Sequence, residues 1–397
     1  MISNLANIRR RFILYGGIEC NPPWYWRYDV HRLIFFPLGN ADCIRMELEC
    51  GKQILLDYAN VKNHEDTNDK RIDLPEQLRK DLGDRKSYDV VAFSHLDDDH
   101  VRGSSDFFYF DHANRYQSED RIRINELWVP AAAIIEDGVE DCARVIRQEA
   151  RHRLREGRGI RVFSRPELLR RWLENQGFAL ESRAHLITDA GGLIPGWSKD
   201  GEGVEFFVHS PFATRLNDRT FVDRNNDSLV LHGTFKVGGV ETRVLFGADI
   251  EHEALSEVVA ITRYHGREER LESDIVKLPH HCSYRSLGPE KGDDRTEPTD
   301  EIAYLYEKKL NGNAILVSTS WPIPQDDGDG QPPHRQAKRY YKDCVRAGGE
   351  FEVTMEHPSM RNPKPLVIEI TANRGKIKRA LFSAASVAAS APAPRAG

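Results

Sequence analysis

The sequence predicts an α/β fold in which helices cover layered sheets. Three observations predict it: short apolar strands recur along the chain, amphipathic stretches lie between them, and acidic or imidazole side chains stand where several strands end. The chain has 397 residues, 40% hydrophobic and 30% charged, with a formal net charge of −6 at pH 7. This composition is typical of globular proteins, and the mild acidity excludes wholesale cationic attraction to nucleic acid or membrane.

The sequence of the first part of the main domain predicts three strands, then a helix and a fourth strand. The segment RLIFFPLGNADCIRMELECGKQILLDYA contains three apolar runs, separated by the turns PLGNAD and ECGKQ. The amphipathic LPEQLRKDL then predicts a helix, and YDVVAFSH predicts the next strand. Later strands are predicted at GVEFFVHSP, DSLVLHGTF, ETRVLFGAD, DIVKLPHH and NAILVSTS, and later helices at HEALSEVVAITRYH and RQAKRYYKDCVRAG.

Between residues 104 and 200 the strand rhythm changes, which predicts an insertion that is helical from about Val139 to Gln176. From Arg144 to Arg171 this insertion carries ten arginines and three glutamates. Such a surface either contacts phosphates or is an ordinary solvated helix face, and the sequence leaves both interpretations open.

The main domain is predicted to span residues 31–380, with extensions on both sides. Residues 1–30 are interpreted as an extension of the mature protein, because glycines and NPPW follow IRRRF where a twin-arginine export signal has an apolar region. Residues 381–397 are rich in small residues and proline, which predicts a disordered tail.

The sequence also predicts the surroundings in which the chain works. No stretch approaches the roughly 20 apolar residues that a membrane helix needs, so no contact with a membrane is expected. The six cysteines include no CxxC pair, which favours reduced thiols and a cytoplasmic location.

The segment SHLDDDHVRGS places four candidate metal ligands, His95, Asp97, Asp99 and His100, directly after an apolar strand. Imidazole nitrogen and carboxylate oxygen suit zinc, manganese or iron, whereas an acidic turn that caps a helix is the alternative. Further strand ends carry Asp57, Asp249 and the pair His280–His281. Because strand ends of an α/β fold converge at one edge, these side chains are expected to meet there.

These motifs resemble the metallo-β-lactamase fold hydrolases, whose signature is HxHxDH after a strand, then a distant aspartate and a final histidine. Over about residues 31 to 372 the chain is more narrowly similar to the soluble hydrolase domain of ComEC-type DNA-uptake competence proteins. The segments that carry this similarity are PLGNADCIRMEL, GKQILLDYA, SHLDDDHVRG, NNDSLVL, LFGADIEHEAL and DIVKLPHHCSYRS. The resemblance implies a four-layer αβ/βα sandwich with an arginine-rich helical insertion, and two divalent ions, zinc or manganese.

The resemblance also implies roles for individual residues. The implied ligands are His95 and Asp97 for the first ion, Asp99 and His100 for the second, Asp249 as a bridge between them, and His281, with His280 as the alternative, as the last histidine. Asp57 would steady the metal loop from behind, as a residue that orients a ligating imidazole does.

Two departures from the family pattern affect the expected ions. Asp97 stands where the family has a second histidine, so the site is harder and more anionic, which makes manganese more credible beside zinc. The histidine of the third motif is missing, and Asn225, Asn226 and Asp227 occupy its place. Asn226 is the candidate replacement ligand, with His209 as the alternative.

The expected reaction is hydrolysis by water that a metal ion activates, since no serine or cysteine arrangement predicts a protein nucleophile. Asp99 and Asp249 are the predicted catalytic carboxylates, His334 is a candidate acid for the leaving oxygen, and Arg335 and Lys338 are candidate phosphate contacts. The predicted function is a phosphodiesterase or nuclease acting on DNA or nucleotides. A small-molecule amide, ester or thioester hydrolase and a catalytically inactive nucleic-acid-binding module stay open as alternatives.

Overall fold

The computed structural model describes residues 30–217, 222–326 and 330–379, so the predicted extension before residue 30 and the predicted tail lie outside the described residues. The strands are β1 (His31–Phe35), β2 (Ile44–Glu47), β3 (Gln53–Leu56), β4 (Ser87–Ala92), β5 (Arg123–Pro130), β6 (Ile160–Phe163), β7 (Ile187–Thr188), β8 (Val204–Ser210), β9 (Val230–Val237), β10 (Val240–Phe246), β11 (Ser273–Lys277), β12 (Leu310–Ser318), β13 (Glu350–Val353), β14 (Leu366–Thr371) and β15 (Arg374–Ile377). The α-helices are α1 (Leu74–Leu82), α2 (Asp98–Val101), α3 (Ser104–Phe107), α4 (Ala132–Ile135), α5 (Asp141–Glu156), α6 (Glu167–Asn175), α7 (Ala213–Asn217), α8 (His252–Tyr264), α9 (Asp300–Ala303) and α10 (Arg335–Cys344).

The strands form two sheets. The first sheet has the order β15-β14-β1-β2-β3-β4-β5-β6-β7, and its strands run parallel from β3 to β7. The second has the order β13-β12-β11-β10-β9-β8, with β10 to β13 parallel. In both sheets the parallel strands bring consecutive strand ends to one edge.

Successive side chains of a strand point to opposite faces of its sheet, so one set packs between the two sheets and the other set packs against the outer helices. In β1, Leu33 and Phe35 pack between the two sheets together with Val244 and Phe246 of β10, whereas Ile34 faces the helices on the other side. Helices α1, α5 and α6 cover the outer face of the first sheet, and α8 and α10 cover that of the second. The predicted four-layer αβ/βα sandwich is therefore confirmed.

Local chemistry explains why the predicted helix before β4 forms. Asp73 caps α1 by accepting a hydrogen bond from the Glu76 N–H at 3.0 Å. Leu74, Leu78 and Leu82 recur every four residues and are all buried, so one face of the helix packs on the first sheet.

The arginine-rich insertion is helical at α5 and α6, as predicted, but it also adds β5, β6 and β7 to the first sheet. Several of its arginines hold the protein together. Buried Arg147 donates to the Glu136 carbonyl at 2.7 Å, Arg153 donates to the Ile124 carbonyl at 3.0 Å, and Arg161 donates to the His185 carbonyl at 2.8 Å. These three guanidinium groups serve folding rather than an exposed phosphate-binding face.

The structure also bears on the cysteines and on the search for membrane-spanning helices. Cys43, Cys50, Cys142, Cys282 and Cys344 carry free thiols. In the part of the chain that the structure describes, none of the helices combines the length and the apolar character needed to span a bilayer.

Candidate metal centre

Strand ends of both sheets meet at one edge of the sandwich. From the first sheet, β3 ends just before Asp57, and β4 leads through Ser94 into the metal loop that contains α2. From the second sheet, β10 is followed by Asp249 and β11 by the His280–His281 turn. The sandwich thus brings together side chains that are far apart in sequence.

Four side chains at this edge form a compact cluster: Asp99, His100, Asp249 and His281. His281 Nε2 lies 3.1 Å from Asp99 Oδ2 and 3.4 Å from Asp249 Oδ2, and His100 Nε2 lies 3.4 Å from Asp249 Oδ1 and 3.9 Å from Asp99 Oδ2. For bonds of about 2.1 Å to an ion, tetrahedral geometry separates neighbouring ligand atoms by about 3.4 Å. The cluster therefore has the dimensions of a site for one divalent ion.

Buried atoms in the cluster point to the same conclusion. Among the described residues, His100 Nε2 and Asp249 Oδ1 are buried and have no hydrogen-bond partner, although they lie only 3.4 Å apart. A buried polar atom without a partner is costly unless a ligand satisfies it. Nitrogen and oxygen atoms aimed at a common point fit a divalent metal ion.

The charges of the cluster are balanced by protons when it holds no ion. Burial alone would lower the pKa of His281, but Asp249 and Asp99 raise it to about 10. Burial alone would raise the pKa of Asp249, but the positive charges of His281 and His100 hold it well below its usual range. A bound cation takes the place of these protons, so metal binding is expected to release them.

The cluster is reached from solvent at Asp99. The Asp99 side chain is 35% exposed, whereas those of His100, Asp249 and His281 are almost fully buried. Burial alone would raise the pKa of Asp99, but the charge of His100 and the hydrogen bond from His281 lower it. Asp99 therefore stays ionised at neutral pH and faces any incoming substrate.

Asp57 lies behind the metal loop, where it was expected. Its Oδ1 accepts from the Ser94 N–H at 2.7 Å, and its Oδ2 lies 3.0 Å from His100 Nδ1. Contact with Nδ1 orients the imidazole so that Nε2 points into the cluster.

Asp42 and Lys277 form a buried ion pair beside the cluster, and the sequence analysis missed both residues. Lys277 Nζ donates to Asp42 and lies 3.7 Å from Asp249 Oδ1, and Asp42 Oδ1 lies 3.8 Å from His281 Nδ1. Asp42, Asp57 and His100 also lie close enough to hold an ion, but Lys277 already supplies a cation there. The strand-end rule applied to Asp57 and Asp249 would have found Lys277, which is the last residue of β11.

A strained turn places His281. His280, His281 and Cys282 all have positive φ angles, of 48°, 52° and 65°, in a region that non-glycine residues rarely adopt. His281 Nδ1 lies 2.7 Å from the Thr319 carbonyl, to which it donates, so Nε2 faces the cluster. His280, the alternative ligand, is not part of the four-residue group. Its buried Nδ1 lies 3.9 Å from Glu251 Oε1 and has no hydrogen-bond partner among the described residues.

His95 and Asp97 lie next to the cluster and are not part of the four-residue group. The ring of His95 is centred 4.0 Å from that of His100, and its Nε2 lies 3.6 Å from Asp97 Oδ2. Arg224, which the sequence analysis also missed, donates to Asp97 Oδ1 at 2.8 Å and bonds Glu136 with its other nitrogens. Arg224 balances the charge that aspartate introduces at a position where the family has histidine.

Both predicted replacements for the third-motif histidine make hydrogen bonds to residues outside the four-residue cluster. The Asn226 amide donates to Asp223 Oδ2 at 3.0 Å, and its oxygen accepts from the Glu251 N–H at 3.3 Å. His209 Nε2 lies 3.0 Å from the Arg270 carbonyl. The Asp223 carboxylate and the Glu251 N–H therefore satisfy the Asn226 side chain, and the Arg270 carbonyl satisfies His209 Nε2.

The buried histidines outside the cluster predict how stability depends on pH. Burial lowers the pKa of His31 and His209 from 6.5 to about 4 and that of His232 to about 3. Below pH 6.5 the unfolded chain binds protons that the folded chain does not, so the free energy of unfolding is expected to fall steadily from pH 6.5 to 4. Urea unfolding across this range measures the slope.

Variants identify the source of this slope. His232→Gln is expected to make it shallower, whereas His64→Gln, which changes a largely exposed histidine, is expected to leave it unchanged. An identical slope in His232→Gln and the parent chain would contradict the assignment.

The three candidate substrate residues lie at the start of α10. His334 Nδ1 accepts from the Tyr284 N–H at 3.4 Å, its Nε2 lies 3.2 Å from the Gly330 carbonyl, and burial lowers its pKa. These features suit a residue that holds loops together and do not suit a proton donor. Arg335 donates to the Asp293 carbonyl at 2.9 Å, and Lys338 lines an open cavity beside α10.

Comparisons with known proteins give little beyond this geometry. No protein-family model and no curated protein sequence matches the chain. Among solved structures, the chain is similar to a crystal structure of a diphosphatase from the PhnP family, at 13% sequence identity and a TM-score of 0.32, over 86% of this chain and 98% of that one. At this TM-score the likeness carries no argument, so the fold assignment rests on the two sheets and their helices, and the metal site on the cluster.

Proposed function

We propose that the protein is a metal-dependent phosphodiesterase or nuclease of the metallo-β-lactamase fold that cleaves DNA or nucleotides in the cytoplasm. The observation that carries the proposal is the cluster of Asp99, His100, Asp249 and His281, with near-tetrahedral spacing and one member open to solvent.

Two ions are proposed, with unequal affinities. Zinc or manganese would bind tightly to the four-residue cluster and more weakly to His95 and Asp97, a pair separated by 3.6 Å. His95 Nε2 supports the second site because it is buried and lacks a hydrogen-bond partner within the described ranges. When bound, a divalent ion supplies a Lewis acid that lowers the pKa of water to about 7 and polarises a phosphoryl oxygen.

The residues of the chain then position the reactants. Asp99, which is ionised and partly exposed, accepts a hydrogen bond from the attacking water and fixes its direction. Asp249 contacts both histidines of the cluster and sets their separation. Asp57 fixes His100, and the Thr319 carbonyl fixes His281, so the cluster is rigid before substrate arrives.

A phosphodiester substrate is favoured by charge near the site. A cavity of about 620 Å³ along α10 is lined by five cationic side chains and two aspartates. The cations are Arg295, Arg335, Lys338, Arg339 and Lys342. An excess of positive charge on an open surface suits phosphate groups. The likeness of six sequence segments to ComEC-type hydrolase domains favours the same substrate class.

The test is metal-restored hydrolysis. Chelator-treated protein is expected to be inactive, and added Mn²⁺ or Zn²⁺ is expected to restore cleavage of DNA or of a nucleotide diester. Asp99→Ala is expected to lower the rate by at least about 100-fold, since it removes a metal ligand that faces the substrate. Asp98→Ala is the matched control, because Asp98 is the preceding residue, is exposed and pairs only with Arg102 among the contacts of the described residues.

The alternatives give different results in the same assays. Turnover of nitrocefin, a lactone or a thioester, with intact DNA and nucleotide diesters, would replace the proposal by a small-molecule hydrolase. DNA binding with steep salt dependence and no cleavage under any metal would replace it by a binding module.

A further inference from the structure

A cavity beside the metal centre has an aromatic wall. It has a volume of about 550 Å³, within the range of small-molecule sites, and its walls include Asn40, Trp321, Pro322, Pro332 and His334. The proline rings fix a backbone angle and so stiffen these walls. Polar side chains, among them Asp326, Gln331 and Gln336, line the rest of the cavity.

The segments that form the walls begin at the metal centre. Trp321 is two residues after Thr319, whose carbonyl accepts from His281 Nδ1. Asn40 is two residues before Asp42, and the His334 N–H donates to the Cys282 carbonyl at 3.1 Å. Two residues span at most about 7 Å, so the cavity adjoins the site of hydrolysis.

The indole of Trp321 is held in place while 38% of the residue is exposed. The backbone N–H of Trp321 donates to Asn40 Oδ1 at 3.1 Å. The guanidinium of Arg71 lies over the indole ring, 5.3 Å from its centre. Gly39, with φ of +73°, lets the ring approach closely, since a Cβ there would lie 2.5 Å from Trp321 Cε2. Gly39 and Arg71 thus cover part of the ring, and the part that stays exposed is held in place, so a flat ligand can contact it without first ordering the side chain.

The aromatic cavity continues into the cationic cavity along α10. The two share Pro324 and Arg335 in their walls. An aromatic platform followed by a cationic groove is the combination that binds the bases and phosphates of single-stranded nucleic acids.

We infer that Trp321 is the stacking platform of a nucleobase subsite, which holds the base of a nucleotide whose phosphodiester lies at the metal centre. The inference rests on the proposed function and specifies its substrate as a nucleotide diester or a single strand. The base stacks on the indole between proline walls, and the following phosphates lie along α10.

Two substrates with the same leaving group test the subsite. Thymidine 5′-(p-nitrophenyl) phosphate carries a base, and methyl p-nitrophenyl phosphate does not. Trp321→Leu is expected to lower kcat/KM for the thymidine ester by about 10-fold or more, because stacking of the base is lost. The kcat/KM for the methyl ester, which has no base, is expected to stay the same. Trp321→Phe keeps a ring and is expected to retain most of the activity.

Binding provides a readout that does not need catalysis. Thymidine 5′-monophosphate is expected to quench tryptophan fluorescence of the parent chain and of Trp172→Phe, but not that of Trp321→Leu, and deoxyribose 5-phosphate is expected to quench none of them. Trp172 is a suitable control because it lines a different cavity.

The outcomes separate the two proposals. Equal effects of Trp321→Leu on both esters, or equal quenching by both phosphates, would overturn the base subsite and leave the phosphodiesterase proposal standing. If the parent chain hydrolyses neither ester, the proposed function is overturned. The fluorescence titration then decides by itself whether Trp321 binds a base.

Discussion

Asp249→Asn is expected to weaken divalent metal binding by at least about 100-fold relative to the parent chain. Asp249 contacts His100 through one oxygen and His281 through the other, so as a ligand it would join groups from both sheets at the proposed ion. Loss of a residue that merely orients a ligand costs 10- to 100-fold in metal affinity, and loss of a ligand should exceed that. Elemental analysis after dialysis and calorimetric titration with Zn²⁺ or Mn²⁺ measure the change.

The matched control is Asp274→Asn, which alters another buried aspartate of the second sheet, near the start of β11. Asp274 accepts from the Arg243 N–H, Asn311 and Arg374, each at 2.8 Å, and is not part of the cluster. This variant is expected to lose stability and keep its metal. If Asp249→Asn binds metal as tightly as the parent chain, the four-residue cluster is not the metal centre.

The fold was predictable because its signals are local. Alternating apolar residues in β1 and β10 and the four-residue spacing of leucines in α1 each identify an element, and their order implies layers. Strands β5 to β7 were missed because the high charge of the insertion hides their apolar residues, as Arg161 does in β6. Its burial depends on the His185 carbonyl, a tertiary contact that no local pattern reveals.

The site was predictable where chemistry coincides with a strand end. Asp99, His100, Asp249 and His281 all follow apolar strands, and the structure brings them together. Asn226 and His209 were proposed by analogy with the family pattern, but the Glu251 N–H and the Arg270 carbonyl, 25 and 61 residues away in the sequence, bind their side chains. Arg224 and Asp42 could not be found, since their partners are more than 50 residues away in the sequence.

The pair formed by Lys277 and Asp42 makes the strongest prediction about stability. Both side chains are almost fully buried, and burial alone would lower the pKa of Lys277, but Asp42 and Asp249 raise it, so the amine stays charged. Lys277→Met leaves the Asp42 carboxylate buried without its cation. We expect a loss of about 3–5 kcal/mol in the free energy of unfolding, the cost of breaking a buried pair on one side. Urea unfolding in the presence of a chelator removes any contribution from bound metal.

A double-mutant cycle distinguishes this pair from general damage to the core. Lys277→Met combined with Asp42→Asn removes both charges, so the double variant should be more stable than the sum of the single losses implies. The matched exposed pair is Lys236 and Asp200, 2.8 Å apart at the surface, where the same substitutions should leave the unfolding midpoint unchanged. Strictly additive losses at Lys277 and Asp42 would mean that the two side chains do not neutralise each other. Coupled losses mean that this lysine is the fixed cation that allows three carboxylates, Asp42, Asp57 and Asp249, to lie around His100 before any metal arrives.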